Sequence, residues 1–436
     1  MDLAFSPDDM LLATASGDQT AQIIDMHTQR AVTTLAGHVS SVKQVRFQPG
    51  SSSVIATSSR DGSVQIWDLR CKSFKAPVRE IRVSFEPSDG TMTSGKLGGK
   101  GMTWARSVNG IYEAHGIRRK GLADIIGSSG DAPSKRECPS KKGDLSITAL
   151  SFLPAGREHL LLTASEANAS VKLWDLRTTH SHRRGRATPL STTTQPESHS
   201  RHRKFGITSL TLSGDGGRLY TLCRDNTVYA YSTSHLILGH APELSLRSSR
   251  PKRSGRDEKS GLGPLYGIQH PQFHATTFYV KLALRPAAGN KSELLAVGSG
   301  EGCAVLFPTD EQYTNRQSPS LDEFSPRDHS TTPVPIPRGT RPPLSRNSSD
   351  VGLSARLNST LPIYEHGSAL IRGHSLEVTG LTWTSEGELV TLGDDFVARC
   401  WREGPRARDL RTDGEKEGRR WGCGWAEAEG DWDDDE

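Results

Sequence analysis

The chain contains 436 residues with a formal net charge of +4, and 34% of its residues are hydrophobic and 6% aromatic. This length allows one large all-β domain or two to three ordinary domains, and the small net charge gives no reason of its own to expect nucleic-acid binding. The low apolar content, together with 43 glycines and 24 prolines, predicts a compact core that is interrupted by long disordered insertions.

The cysteines and the N-terminal residues bear on the cellular compartment. The six cysteines lie far apart and form no C-x-x-C pair, which argues against a zinc site and a disulfide scaffold and favours a reducing compartment. The N-terminal letters MDLAFSPDDM include no basic region, and the sequence has no stretch of 18 apolar residues. It therefore predicts neither a signal peptide nor a membrane span.

A three-strand unit is most complete at residues 37–70. It opens with Gly37-His38, contains β-like runs at 42–47, 54–58 and 64–67, and closes with the letters WDLR. Alternating β-branched residues broken by Gly, Pro and Asp predict short antiparallel strands. A Gly-His pair before the strands and a Trp-Asp pair after them are typical of one blade of a WD-repeat propeller.

The same unit is visible six times along the chain. In each copy, a polar residue in the turn before the third strand precedes a large apolar residue by six positions. The pairs are Asp18 and Ile24, Asp61 and Trp67, Asn168 and Trp174, Asp225 and Tyr231, Glu301 and Phe307, and Asp395 and Trp401. The sequence therefore predicts an all-β fold, a WD-repeat β-propeller with six visible blades of an expected seven. The N-terminal blade is expected to be missing, because the chain begins inside a first strand.

Irregular spacing between the copies predicts insertions, because a WD repeat occupies only about 40 to 45 residues. We expect a propeller over residues 1–404, with blades near 1–36, 37–70, 145–177, 205–240, 273–308 and 369–402. Disordered insertions are expected near 71–144, 178–204, 241–272 and 309–368, and a disordered charged tail at 405–436. Outer fourth strands are predicted at 31–35, 235–238 and 369–372.

A buried hydrogen-bond network is expected within the most complete blades. The turn aspartate can accept a hydrogen bond from the Gly-His histidine, and a Ser or Thr on the second strand can link that histidine to the tryptophan. For the second blade we expect this network to contain His38, Ser58 or Ser59, Asp61 and Trp67. The last blade should repeat it with His374, Asp395 and Trp401.

The sequence contains no convincing catalytic set. It has no G-x-S-x-G, H-E-x-x-H or P-loop, and the glycine-rich GKLGGKG at 95–101 lacks the setting of a phosphate-binding loop. We therefore expect no catalytic residues, no metal site, no cofactor and no direct small-molecule substrate. A propeller fold specifies no chemistry by itself.

Two blades end with nearly identical letters, IWDLR at 66–70 and LWDLR at 173–177. The blade architecture explains Trp67, Asp68, Trp174 and Asp175 but does not require the arginine at position 70 or 177. Both arginines are expected near the rim, where a guanidinium can meet a carboxylate of a partner. This pair resembles the motif by which WD-repeat substrate receptors dock onto the triple-propeller adaptor of cullin–RING ubiquitin ligases.

A wider resemblance points to one family. The stretches LATASGDQTAQIID, SSRDGSVQIWDLRC, SVKLWDLR, RDNTVYAY, TTFYVKLALRP and GHSLEVTGLTW are, in order, similar to the denticleless family. The resemblance implies a nuclear, non-catalytic receptor that recruits replication and cell-cycle proteins for ubiquitination and degradation, with a cytoplasmic share as the alternative. It also implies degrons presented on the DNA-loaded sliding clamp as partners, and no association with a membrane.

The same resemblance implies one group of binding residues, and the turns of the propeller supply a second group of candidates. Trp67, Asp68 and Arg70 with Trp174, Asp175 and Arg177 would bind the adaptor. Turn residues on the opposite, top face are candidates for substrate contact, namely Gln19, Arg60, Arg224, Tyr279 and Lys281. The alternative is a generic WD-repeat scaffold in a nuclear assembly, for chromatin or ribosome biogenesis, in which the two arginines are incidental.

Overall fold

A computed structural model describes residues 1–71, 73, 103–115, 146–179, 187–196, 198–199, 205–238, 263–289, 291–310, 361–371, 373–403 and 422–425. These residues form six β-sheets of four or five strands, which we number blades 1 to 6 in chain order. Among the described residues, no helix is long and apolar enough to cross a membrane.

The first three strands of every blade follow one another in the chain and pair antiparallel. The strands in chain order are β1 Asp2–Phe5, β2 Leu11–Ala15, β3 Thr20–Asp25, β4 Arg30–Ala36, β5 Val42–Phe47, β6 Val54–Ser59, β7 Val64–Asp68, β8 Thr103–Ala105, β9 Asn109–Ile111, β10 Ile147–Phe152, β11 Leu160–Ser165, β12 Val171–Asp175, β13 Ser191–Thr192, β14 Ile207–Leu212, β15 Arg218–Cys223, β16 Thr227–Ser232, β17 Tyr266–Gln269, β18 Leu282–Arg285, β19 Leu294–Gly298, β20 Ala304–Pro308, β21 Ile363–Glu365, β22 Ser368–Leu370, β23 Val378–Trp383, β24 Leu389–Gly393, β25 Ala398–Glu403 and β26 Gly422–Trp425. Blade 1 contains β1 to β4 with β8, blade 2 contains β5 to β7 with β9, blade 3 contains β10 to β13, blade 4 contains β14 to β17 with β21, blade 5 contains β18 to β20 with β22, and blade 6 contains β23 to β26.

The core consists of five apolar layers, each lying between two consecutive blades. Between blades 1 and 2, for example, Ala13 and Ile23 pack against Val45, Ile55 and Trp67. The first strands of consecutive blades also pack against one another, from β1 through β5, β10, β14 and β18 to β23. The first strands are therefore innermost and the fourth strands outermost. The predicted WD-repeat β-propeller is confirmed.

The turn between the second and third strands explains the aspartate that marks four of the six repeats. In blade 2, Asp61 accepts hydrogen bonds from the Ser63 backbone amide at 2.9 Å and the Ser63 hydroxyl at 2.6 Å. The next residue, Gly62, has a φ of 77°, in the left-handed region that glycine adopts without steric cost. Four other blades have a positive φ at the same turn position, at Gln19, Asn226, Gly302 and Phe396.

Most fourth strands lie where the sequence predicts insertions. The fourth strands β9, β13 and β17 fall within 71–144, 178–204 and 241–272, respectively, and the expected tail contributes β26. The fifth strands of blades 1 and 4, β8 and β21, fall within 71–144 and 309–368. The expectation of disorder is therefore wrong for these segments. Each one provides a partner for an open strand edge, whose backbone groups would otherwise have no ladder partners. The remainder of each expected insertion and of the tail lies largely outside the described residues.

The predicted fourth strand at 235–238 is wrong, because these residues belong to a short helix, Thr233–Leu238. The hydroxyl of Ser232 accepts a hydrogen bond from the His235 backbone amide at 3.4 Å, so Ser232 caps the first turn of this helix. The fourth strand of blade 4 is instead β17. The other two predicted outer strands correspond to β4 and β22.

Blades 1 and 6 each have one face that lacks a neighbouring blade among the described residues. On blade 1 this face carries Leu3, which is 59% exposed, and Phe5, which is 50% exposed. On blade 6 it carries Leu392, which is 50% exposed, and the exposed Ala398. The expectation of a seven-blade ring whose N-terminal blade is missing stays a prediction.

Candidate functional site

The structure contains the hydrogen-bond network expected in blade 2. The Nδ1 atom of His38 lies 3.1 Å from Asp61 Oδ2, and its Nε2 atom lies 2.7 Å from Thr57 Oγ1. The indole N–H of Trp67 donates to the same Thr57 oxygen at 2.9 Å. Because a carboxylate only accepts hydrogen bonds, the Nδ1–H group of His38 donates to Asp61. The network thus provides hydrogen-bond partners for the buried side chains of His38, Thr57 and Trp67.

The linking residue is Thr57, so the expectation of Ser58 or Ser59 is wrong. Ile55 pairs with Trp67 across β6 and β7, and Thr57 lies two residues along, on the same face of the sheet. Ser58 points to the opposite face. Ser59 lies at the end of the strand, where its hydroxyl donates to the Ser40 carbonyl at 3.0 Å.

Blade 6 repeats the network with His374 between Asp395 and Thr391. The histidine lies 3.1 Å from Asp395 Oδ1 and 2.8 Å from Thr391 Oγ1, and Trp401 donates to the same threonine at 2.9 Å. In blade 2, burial alone would raise the pKa of Asp61, but hydrogen bonds from His38 and from Ser63 outweigh it and lower that pKa to about 2. These histidines, aspartates and tryptophans stabilise blades and are not free for partners.

Blade 3 completes the same network with a histidine that sequence reasoning missed. His115 lies 3.3 Å from Asn168 Oδ1 and 3.0 Å from Thr163 Oγ1, and Trp174 donates to Thr163 at 2.9 Å. Burial, followed by the positive charge of Lys172, lowers the pKa of His115 to about 3. His115 was missed because it follows Ala114 rather than glycine and lies in an expected insertion. The available signal was a blade with its threonine and tryptophan but no nearby histidine.

The arginine that follows blade 2 is held by the aspartate of its own W-D-x-R motif. The Nε and Nη2 atoms of Arg70 donate to the two oxygens of Asp68 at 2.9 and 2.7 Å, and the Arg70 backbone amide donates to Asp68 at 3.0 Å. The hydrogen bond from Arg70 lowers the pKa of Asp68, so this carboxylate remains charged. The Arg70 side chain is nevertheless 69% exposed. Its orientation is therefore fixed while its outer edge faces solvent.

Arg177 has the same geometry at the end of blade 3. Its Nε and Nη2 atoms donate to Asp175 at 3.0 and 2.9 Å, and its side chain is 66% exposed. Within the described part of the chain, the Nη1 group of neither Arg70 nor Arg177 makes a hydrogen bond. Two neighbouring blades thus present identically oriented guanidinium groups that can bind carboxylates.

Contacts between blades 2 and 3 fix the relative position of these two arginines. The side-chain amide of Asn109, on β9 of blade 2, donates to the Thr179 carbonyl and lies 3.2 Å from the Thr179 hydroxyl. At the same end of the blades, Gln48 Nε2 donates to the Glu158 carbonyl at 2.8 Å. The turn that carries Arg177 is therefore anchored to the blade that carries Arg70.

The candidate substrate residues lie on the opposite face of the propeller. Gln19, Arg60 and Arg224 occupy turns between second and third strands, whereas the W-D-x-R arginines follow the third strands. A third strand of five residues spans about 16 Å between these two ends. Tyr279 and Lys281 lie just before β18, at the same end as the second-to-third-strand turns.

The structure brings only some of these top-face residues together. The ring of Tyr279 lies 4.0 Å from that of Phe278, and Lys281 Nζ lies 3.5 Å from the Phe278 carbonyl oxygen. Arg224 donates to the carbonyl of Thr276, in the same segment, at 3.2 Å. Gln19 and Arg60 belong to the turns of blades 1 and 2 and make no side-chain hydrogen bond within the described ranges. Sequence reasoning missed Lys43, whose Nζ lies 4.2 Å above the Phe278 ring.

The comparisons with known proteins agree with this architecture. The WD domain, G-beta repeat family matches residues 1–25 and 29–68. The Cell division cycle protein cdt2 of Schizosaccharomyces pombe is 28% identical over 414 residues, which cover 91% of this chain and 56% of that relative. The Denticleless protein homolog of Mus musculus is 28% identical over 408 residues, which cover 92% of this chain and 39% of that relative. Denticleless protein homolog B of Xenopus laevis is 23% identical over 425 residues, which cover 97% of this chain and 44% of that relative. The chain therefore spans about half the length of these curated relatives.

Proposed function

We propose that this WD-repeat chain, which is similar to proteins of the denticleless family, is a non-catalytic substrate receptor of a cullin–RING ubiquitin ligase. In this role it binds the triple-propeller adaptor of the ligase and recruits replication and cell-cycle proteins for ubiquitination. In this role it acts in the nucleus. It recognises the degrons of its substrates, including degrons presented on the DNA-loaded sliding clamp. The ligase's RING partner transfers the ubiquitin.

The observation that carries the proposal is the matched pair of exposed arginines. A guanidinium pre-oriented by a carboxylate loses little conformational freedom when it binds a second acceptor. Arg70 and Arg177 have this arrangement in adjacent blades, at 69% and 66% exposure. The adaptor surface that fits them carries two carboxylates, or carbonyl groups, spaced to match two neighbouring blades.

The second part of the proposal assigns the two faces of the propeller to different partners. The adaptor binds the face that carries the W-D-x-R arginines, and the substrate binds the face with Gln19, Arg60, Arg224, Tyr279 and Lys281. The length of the third strands separates the adaptor-binding surface from the substrate-binding surface. Such an arrangement lets the receptor hold both partners at once.

A pull-down with the purified adaptor tests the docking assignment. In the full chain, an Arg70→Ala, Arg177→Ala double variant should lose most adaptor binding, because removing a charged hydrogen-bonding partner costs about 2–5 kcal/mol. Arg30→Ala is the matched control, since Arg30 is exposed at the same end of blade 1 but follows no W-D-x-R motif. Unchanged binding by the double variant, with co-purification of a chromatin or ribosome assembly, would instead favour the generic scaffold.

A further inference from the structure

The residue at the beginning of the innermost strand, or just before it in blade 5, distinguishes two blades from the others. In blades 3, 4 and 6, a Val or Ile near the axis is followed by threonine, at Thr148, Thr208 and Thr379, whereas blades 2 and 5 have Lys43 and Lys281. In blades 2, 3, 4 and 6 this residue is the extra residue of a β-bulge. A bulge redirects its side chain away from the regular sheet face. Two long cations therefore extend from positions where the other blades carry a short hydroxyl group.

The two lysines converge on one aromatic residue. Lys43 Nζ lies 4.2 Å from the centre of the Phe278 ring, and Lys281 Nζ lies 3.5 Å from the Phe278 carbonyl oxygen. Blades 2 and 5 are separated in the ring by blades 3 and 4. Side chains from both can meet at Phe278 only across the central axis of the propeller. We call Lys43, Lys281 and Phe278 the axial lysine site.

The charge of Lys281 is poorly compensated within the described residues. Its ammonium group lies 3.4 Å from the Thr208 carbonyl and 3.5 Å from that of Phe278, which is the upper limit of hydrogen-bond length. Burial lowers the pKa of Lys281 to about 8, and the cations Arg46 and Lys43 oppose its charge further. The nearby carboxylate, Asp2, already forms an ion pair with Arg46 at 2.5 Å.

We propose that the axial lysine site binds a single carboxylate of a peptide ligand, between the ammonium groups of Lys43 and Lys281 and beside the Phe278 ring. The proposal rests on the receptor function above, and it names the class of substrate that the top face takes. Tyr279 extends the aromatic surface outward, because its ring centre lies 4.0 Å from that of Phe278, with the two planes tilted by 34°, and because Tyr279 is 45% exposed. The preferred ligand therefore has an acidic side chain next to an aromatic or apolar one.

The charges around the site favour a peptide over a nucleic acid. Glu166 is exposed near Lys43, and Glu377 accepts hydrogen bonds from Thr276 and Thr277 at 2.6 and 2.8 Å. A nucleic-acid backbone needs a continuous row of cations, and these carboxylates would repel successive phosphates. One carboxylate on a short side chain can reach the axial lysines and avoid both glutamates.

Fluorescence anisotropy with the full chain tests the site. The probe is a fluorescein-labelled peptide, Gly-Ser-Asp-Phe-Gly-Ser, and its counterpart has Asn in place of Asp. We expect the aspartate peptide to bind at least about tenfold more tightly than the asparagine peptide, because a charge-assisted hydrogen bond contributes about 1.5–3 kcal/mol. Lys43→Met and Lys281→Met should each remove this difference, whereas Lys281→Arg should retain part of it.

Lys291→Met is the matched control, because Lys291 is an exposed lysine of blade 5 at the opposite face, where its Nζ donates to the Glu386 carbonyl at 2.6 Å. Equal binding of the two peptides, no binding of the aspartate peptide, or binding only of a 20-base-pair DNA duplex would each overturn the proposal. Adaptor pull-down with Lys281→Met distinguishes failure of the axial lysine site from failure of the proposed receptor function. That variant should bind the adaptor normally, since its mutation lies on the other face.

Discussion

Blades 1 and 2 have the same strand pattern, but their equivalent residues lie in different environments. Phe5, Leu12 and Ile24 are aligned across blade 1 as Phe47, Ile55 and Trp67 are across blade 2. Phe47 is 8% exposed and Trp67 is fully buried, whereas Phe5 is 50% exposed. Val45 is 0% exposed, whereas the equivalent residue Leu3 is 59% exposed. Local sequence thus determines the strand pairing within a blade. The burial of the side chains on this face depends on whether a preceding blade covers them.

This difference has an energetic consequence, because a propeller is stabilised by contacts between neighbouring repeats. Blade 2 is covered on both sides, by the apolar layers that it shares with blades 1 and 3. Blade 1 shares one such layer, with blade 2. Substitutions at equivalent positions should therefore have unequal effects in the two blades.

The largest expected effect comes from removing the equivalent phenylalanines. Phe47→Ala should lower the free energy of unfolding by about 3–5 kcal/mol, because it leaves a cavity between blades 1 and 2. Phe5→Ala should cost about 1 kcal/mol or less, because half of that side chain already faces solvent. Urea unfolding followed by tryptophan fluorescence measures both values. Equal losses would mean that blade 1 is covered in solution.

The next effect distinguishes the two equivalent threonines. Thr57→Val should cost about 3 kcal/mol, because it leaves both the Nε2 atom of His38 and the indole N–H of Trp67 without their buried partner. Thr14→Val in blade 1 should cost under about 1 kcal/mol, because Thr14 has Ile24 rather than a tryptophan in its blade. Ser58→Ala is a second control on β6. A cost for Ser58→Ala as large as for Thr57→Val would contradict the assignment of the network.

A pH titration of stability probes the same network. The folded-state pKa of Asp61 is about 2, below the ordinary aspartate value of 3.8, so its carboxylate stabilises the fold above about pH 4. This contribution, about 2 kcal/mol, is lost as the pH falls from about 4 to 2. Asp61→Asn should therefore be less stable than the wild type at pH 6, and the two should converge near pH 2. Parallel stability curves for the two proteins would argue against a paired Asp61.

The smallest predicted effect concerns the turn position with positive φ in blades 2 and 6. Gly62 adopts a φ of 77° and the fully exposed Phe396 a φ of 60°. Gly62→Ala should destabilise the protein by about 1 kcal/mol, and Phe396→Gly should stabilise it by a few tenths to about 1 kcal/mol, because only glycine adopts this conformation freely. Thermal unfolding of both variants provides the measurement. Opposite signs are expected, and a loss of stability in Phe396→Gly would reveal a contact of the Phe396 ring.

The repeat made most of the fold predictable from sequence. Three consecutive strands with a fixed step from Asp61 to Trp67 recur along the chain, and each copy supports the others. The fourth strands were less predictable, because β9 and β13 contain three and two residues and follow long segments of polar composition. Pairing with an existing strand edge, rather than local propensity, determines such strands.

The site residues divide in the same way. The exposure of Arg70 and Arg177 follows from their position beyond the third strand, so their sequence alone indicated a surface role. His115 and Thr57 depended on which side chains meet inside a blade, and Lys43 depended on contacts across the ring. Sequence spacing carries little information about contacts between residues so far apart in the chain.

Isothermal titration calorimetry of the adaptor into the full chain tests the central claim, that two oriented guanidinium groups dock this propeller. The most informative variant is Arg70→Lys, Arg177→Lys, which keeps both charges but cannot form the two-point contact with Asp68 and Asp175. The account predicts at least about a tenfold weaker affinity than that of the wild type. An unchanged affinity would show that positive charge alone is sufficient and would contradict the proposed docking geometry.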